Sequence, residues 1–210
     1  MTQPADIAQL TRHLAALSRG ARVIVALAGA PGSGKSHMAE ALCEAINAAA
    51  PGLAAVLPMD GYHYDDAILH QLGRHARKGA PDTFDVAGLH HMLLRLRANA
   101  EPDIAVPVFD RALEISHASA RLIPQSVGIV LCEGNYLLLD QAPWAALAPA
   151  FDLSVLIDVP EATLRARLTR RWQGFGLNEA QIRAKLEDND LPNGRFLLSH
   201  SRAPDFTLPN

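Results

Sequence analysis

Residues 29–36 read GAPGSGKS, the spacing G-x-x-x-x-G-K-S. Glycines so placed let consecutive backbone N–H groups turn into one concavity, which suits phosphate oxygens. A helical pattern, HMAEALCEAINAA, follows at once, and a helix N-terminus adds positive potential at the same spot. Lys35 is then set to reach the β- and γ-phosphates and Ser36 to ligate Mg²⁺. With glycine near ~7% of residues, the spacing alone arises by chance in roughly one chain of this length in a hundred or fewer. The apolar run VIVALAG before it and the helix after it supply the context the motif requires. The candidate nucleotide-binding residues are therefore Gly29, Ala30, Pro31, Gly32, Ser33, Gly34, Lys35, Ser36 and His37. Guanine-reading switches carry N-K-x-D, and neither Lys78 nor Lys185 has aspartate two residues on. ATP is the favoured nucleotide.

Two carboxylates stand at comparable places. Asp60 follows AAVLPM, and Glu133 closes GIVLCE. Ligands of open parallel sheets sit at the carboxyl ends of the strands, so both acids are expected on the rim that carries the glycine loop. Asp60 could accept the proton of an attacking alcohol; the plainer reading is an Asp-Gly turn ending a strand. Glu133 could hold Mg²⁺, directly or through water, or simply terminate its strand. Arg165, Arg167, Arg170 and Arg171 lie on the helix after LIDVP. The last three share a helix face and could meet charge on a transferring phosphoryl group; a solvated basic face is the rival. Gly174 and Gly176 behind them would let the segment hinge as a lid.

Composition bounds the class without choosing a partner. The 210 residues suit one packed domain. Hydrophobic residues make up 49% and charged ones 20%, with a net charge of −3. No basic stripe argues for nucleic acid or acidic lipid, and no apolar run approaches the ~18 to 20 residues of a membrane span. The start, MTQPADIAQL, lacks a signal-peptide pattern. Cys43 and Cys132 have neither metal nor redox spacing and fit a reducing cytoplasm. Only three lysines, Lys35, Lys78 and Lys185, occur beside sixteen arginines.

The elements that must position these groups alternate. VIVALAG, AAVLPM (54–59), GIVLCE (128–133), LSVLIDV (153–159) and DFTL (205–208) are expected strands. Helices are expected over 5–18, 35–49, 86–98, 161–172 and 179–188, with a stop and a Pro-Asn-Gly turn in NDLPNG. Strand alternating with helix argues for a parallel α/β sheet covered on both faces. Residues 61–126 are too long for one crossover and form an excursion that should carry the acceptor.

The segments GAPGSGKS, MDGYHYDD, RKGAPDTFDVAGL, PVFDRALEIS, VLCEGNYLLLD and RLTRRW run in one order from residue 22 to about 172. In that order the chain resembles the P-loop kinases grouping phosphoribulokinase, uridine kinase and bacterial pantothenate kinase. It is most similar to a short bacterial subgroup described as sugar, or fructose-transport-associated, kinases. The resemblance implies a single three-layer P-loop NTPase domain with a five-stranded parallel sheet and a helical lid over 161–188. It implies ATP and Mg²⁺, a catalytic base at Asp60, a Mg²⁺-side acid at Glu133 and lid contacts from Arg167 and Arg170. Gly79 and Ala80 stand where uridine kinases carry an acidic and histidine pair, which speaks against a nucleoside. KGAPDTFD looks like the pantothenate-kinase version, without that enzyme's longer extensions.

The acceptor pocket is expected from Asp60, Tyr62, His63, Asp82, Phe84 and Arg111, with Tyr64, Asp85, Phe109 and Asp110 beside them. Core packing competes for Phe84 and Phe109, and a helix cap for Asp85. The expected activity is γ-phosphoryl transfer to a hydroxyl of a small metabolite, a sugar or sugar-like compound. Rivals are a nucleoside or pantothenate kinase, a regulatory ATP-binding module and an assembly or transport ATPase.

Overall fold

The computed structural model describes residues 2–18 and 20–210. Six strands form a wholly parallel sheet: β1 (Gln3–Pro4), β2 (Val23–Gly29), β3 (Ala54–Pro58), β6 (Ile129–Gly134), β7 (Leu153–Asp158) and β8 (Phe206–Pro209), in the order β1-β8-β7-β2-β6-β3. The five expected strands are all present. The sixth, β1, is a two-residue addition at the edge, paired with β8 through Gln3 and Pro4. Every residue of β2 and β6 is buried, as continuous apolar runs in a sheet covered on both faces should be. β2 lies between β6 and β7, so the glycine loop leaves from the middle of the sheet.

Helices α1 (Ile7–Leu17), α2 (Lys35–Ala49), α4 (Val86–Ala98) and α5 (Glu161–Gly174) follow the apolar periodicity of the chain. Asp6 and Gln9 form a capping box on α1, and Asp85 caps α4 by accepting from Gly88 N–H. None of the described helices is long and apolar enough to cross a membrane.

The excursion 61–126 contains more strand than its sequence suggests. After the short helix α3 (Asp66–Gln71) and α4, an antiparallel hairpin pairs β4 (Asp103–Asp110) with β5 (Ile115–Pro124). Eight-residue β4 contains the expected extended piece AVPVFD. Strand β5 escapes a reading of apolar pattern because only Ile123 along it is buried. Arg22, itself buried at the start of β2, donates to the carbonyls of Leu96, Pro124 and Val127. It thereby fastens the end of α4 and the return of the hairpin to the base of the sheet.

The C-terminal helices correct one expectation. NDLPNG is neither stop nor turn: α6 (Glu179–Lys185) runs through a π-helical segment, Leu186–Asp190, into α7 (Leu191–His200). Pro192 sits in the first turn of α7 and has no N–H to offer the Asp188 carbonyl, which accepts from Arg77 instead. Asn193 and Gly194 are buried within that helix.

Candidate active site

The parallel register sets the site. Pro58 of β3 pairs with Glu133 of β6, and Leu27 of β2 pairs with the same Glu133. The chain beyond these points supplies the glycine loop, Asp60 and Asn135 along one rim. Two glycines permit the geometry. Gly34 has φ +79° and opens α2, a left-handed conformation that L side chains rarely adopt. Gly61 lies under β4, and a Cβ there would fall 2.5 Å from the Pro107 carbonyl, so only glycine lets the hairpin cross directly over Asp60.

A cavity of about 520 Å³ opens on this rim, lined by Pro31, Gly32, Lys35, Asp60 and Asn135 on the sheet side. His63, Phe84, Phe109 and Arg111 line it from the excursion, and Arg171 and Trp172 from α5. A smaller cavity of about 140 Å³ adjoins it, with Ser36, Asp60, Arg111 and Glu133 in its wall. The loop, both carboxylates and Arg111 are thus brought together.

The two acids differ electrically. Burial works to raise the Asp60 carboxyl, but the charges of Lys35, His63, Arg111 and Arg171 outweigh it and hold Asp60 below the ordinary carboxylate value. Arg111 Nη2 donates to Asp60 Oδ2 at 2.7 Å. Glu133 is pushed the other way: burial and the negative charge of Asp60 raise it, against Lys35 and the hydroxyl of Ser36. Ser36 Oγ donates to Glu133 Oε2 at 3.1 Å. Two oxygen ligands, one a buried carboxylate, match what a hard divalent cation takes.

His63 has a defined tautomer. Its Nδ1 lies 2.8 Å from the Asp60 carbonyl, which can only accept, so the proton is on Nδ1 and Nε2 carries a lone pair. Burial pulls its pKa down, keeping the ring neutral near pH 7. The ring packs between Phe84 and Phe109, with centroids 4.0 and 4.7 Å away.

Several expected site residues lie elsewhere. Asp82 is half exposed, paired with Arg74 at 2.6 Å, and does not line the cavity. Tyr62 is buried beneath the site, its hydroxyl without a partner and its pKa raised by burial. His37 is exposed on α2, and Gly29 and Ala30 lie in the buried base of the loop. Arg170 is exposed, whereas Arg167 Nη1 donates to the Ser33 carbonyl at 3.2 Å. The cation that α5 turns into the cavity is Arg171. The helix-face argument narrowed the choice to three arginines; only the packing of Leu164 and Leu168 against the core selects among them.

Other residues carried little signal. Asn135, two places after Glu133, is 9% exposed and its Oδ1 is buried without a partner. Lys78 Nζ donates to Asp66 Oδ1 at 2.7 Å and to the Glu114 carbonyl at 2.6 Å, and lies over the Phe109 ring. Its scarcity in the chain was the one hint. The backbone beside it meets the C-terminal helices: Asn189 Nδ2 donates to the Lys78 carbonyl at 3.2 Å, and Arg77 to Asn193 Oδ1 at 3.2 Å and to the Asp188 carbonyl.

No protein-family model matches the chain. A Schizosaccharomyces pombe protein provisionally named a uridine kinase is 32% identical over 208 residues, covering 94% of this chain and 87% of that one. The uncharacterized Escherichia coli K12 protein YggC is 37% identical over 185 residues, covering 86% and 75%. A crystal structure from Silicibacter sp. TM1040, provisionally described as a fructose transport system kinase, superposes with TM-score 0.88 at 38% identity, covering 97% of this chain and 98% of that one. The chain belongs to the P-loop kinases. As such a kinase it is a phosphotransferase that acts on a hydroxyl-bearing acceptor, and the glycine loop leaving β2 is its P-loop.

Proposed function

We propose that this kinase transfers the γ-phosphate of ATP to a hydroxyl of a sugar or sugar-like metabolite, with Asp60 as general base. The observation that carries the reading is the Asp60 carboxylate, held ionised by Lys35, Arg111 and Arg171 in the cavity it shares with the P-loop. A base must be deprotonated and within reach of the alcohol proton; the depressed pKa of Asp60 and its place in the cavity wall support that role. Lys35 and the loop amides hold the phosphates; Arg111 and Arg171 face the same space and offset charge as the phosphoryl group moves. Ser36 and Glu133 would hold Mg²⁺, which when bound neutralises charge on the phosphate oxygens. Arg167 supports this cation set from α5 through the loop carbonyl.

A polyhydroxylated acceptor suits the opposite wall. Among the described residues, no donor reaches His63 Nε2 or Asn135 Oδ1, both hydrogen-bond acceptors, and hydroxyl groups supply donors. Phe84 and Phe109, packed on either side of His63, hold that ring in the cavity wall. The name of the fission-yeast relative favours a nucleoside as second reading. Free thiols at Cys43 and Cys132 suit a reducing, cytoplasmic setting.

A screen of ADP release across sugars, nucleosides, pantothenate and sugar phosphates tests the proposal. Release dependent on a sugar supports it. Dependence on a nucleoside selects the second reading, and release indifferent to every acceptor contradicts both.

A further inference from the structure

The carboxyl end of β8 arrives at the same rim, although nothing in the phosphate-binding motif requires it. Strand β8 runs parallel to β7 with Pro209 opposite Asp158, and Asn210 N–H donates to the Asp158 carbonyl at 3.2 Å. From there Asn210 Nδ2 donates to the Ser33 carbonyl at 2.7 Å, the oxygen that Arg167 Nη1 also reaches at 3.2 Å. Two donors from separate elements converge on one loop carbonyl and use both its lone pairs. A Cβ on Gly34 would lie 2.5 Å from Asn210 Nδ2, so the glycine there also makes room for the carboxamide.

Peptide planarity turns this contact into a consequence for phosphate. In a trans peptide the carbonyl and the next N–H point in opposite directions, and the Ser33–Gly34 bond is trans. Holding the Ser33 carbonyl away from the cavity therefore aims the Gly34 N–H into the loop's concavity. Glycine tolerates many backbone conformations, so this peptide is free to turn over unless something holds it. Turned over, it would offer phosphate a carbonyl oxygen in place of a donor.

We propose that Asn210 is a positioning residue of the P-loop, acting with Arg167 through the Ser33–Gly34 peptide to keep an N–H facing the bound polyphosphate. The inference rests on the nucleotide-binding reading of the loop. Inorganic tripolyphosphate with Mg²⁺ is the direct probe, because it engages the loop without adenine or acceptor. Titration calorimetry of wild type, Asn210→Ala and Asn210→Asp at 20 °C should show affinity falling about five- to tenfold in the alanine variant, the worth of one hydrogen bond. It should fall further in the aspartate variant, which sets an acceptor against the carbonyl. A residue that merely stabilised the fold would lower the melting temperature without ligand and leave affinity of the folded protein unchanged. Equal affinity in all three proteins overturns the inference while leaving the nucleotide site intact. A wild type that binds neither tripolyphosphate nor ATP overturns the nucleotide reading and this inference with it.

Discussion

The two sides of the cleft are built by different means. On the donor side the loop, Ser36 and Glu133 hang from adjacent parallel strands, β2 and β6, whose register fixes them. On the acceptor side His63, Phe84, Phe109 and Arg111 come from turns and a hairpin joined to the sheet mainly through side chains such as Arg22. Asp60 stands at the junction, two residues past β3 and under β4. A sheet rim can place phosphate groups the same way in many proteins, while an excursion can be rebuilt for a new acceptor without disturbing it. On that view, damage to the donor side should affect every acceptor alike, and damage to the acceptor side should leave ATP binding intact.

The largest expected effect is on the donor side. Lys35→Met should lower turnover by roughly 10³, in the range for removing a preorganised charge donor, and should weaken ATP binding as well. Steady-state kinetics with calorimetric ATP titration checks it; normal ATP affinity in this variant would blur the division. On the acceptor side, Arg111→Ala should cost up to roughly 10² in turnover with ATP affinity near wild type. Arg111 helps hold Asp60 below its ordinary value. Its loss lets the Asp60 pKa rise, so the acidic limb of the pH–rate profile should move to higher pH. A limb that stays in place would mean Asp60 does not set it.

The smallest effect distinguishes the two carboxylates by stability. Glu133 has its pKa raised in the folded protein. Such a group favours folding below its ordinary value of 4.5, and that contribution is lost as pH rises through the raised value. Glu133→Gln, which keeps an oxygen for Ser36, should therefore melt about 2 to 4 °C higher than wild type near pH 8, the equivalent of about 1 kcal/mol. The gain should vanish as pH falls below 4.5. Asp60 has the opposite sign: its contribution is present above the ordinary value of 3.8 and is lost as pH falls through the depressed one. Calorimetric melts of ligand-free Glu133→Gln and Asp60→Asn at both pH values check the pair, and gains of equal size would contradict the opposed shifts.

What the sequence disclosed follows the same division. VIVALAGAPGSGKS and GIVLCE announce themselves because burial on both faces forces unbroken apolar runs and the loop admits few residue types. Strand β5 does not, because HASAR lies on a hairpin with both faces largely open to water. Asn135 and Asn210 become visible only when strand register places them, and helix packing is what selects Arg171 from the three arginines of its face. Asp82 and Tyr62 illustrate the converse: their types suit a polar pocket, but a turn pairs one with Arg74 and the core takes the other.

The junction offers the most direct test. Asp60→Asn keeps the side chain's shape and its contact partners while removing the base. With an acceptor in hand, single-turnover phosphoryl transfer by this variant should be slower by roughly 10² to 10⁴, with ATP affinity near wild type and no acidic limb assignable to residue 60. Transfer at the wild-type rate would contradict the assignment of Asp60 as the group that takes the proton.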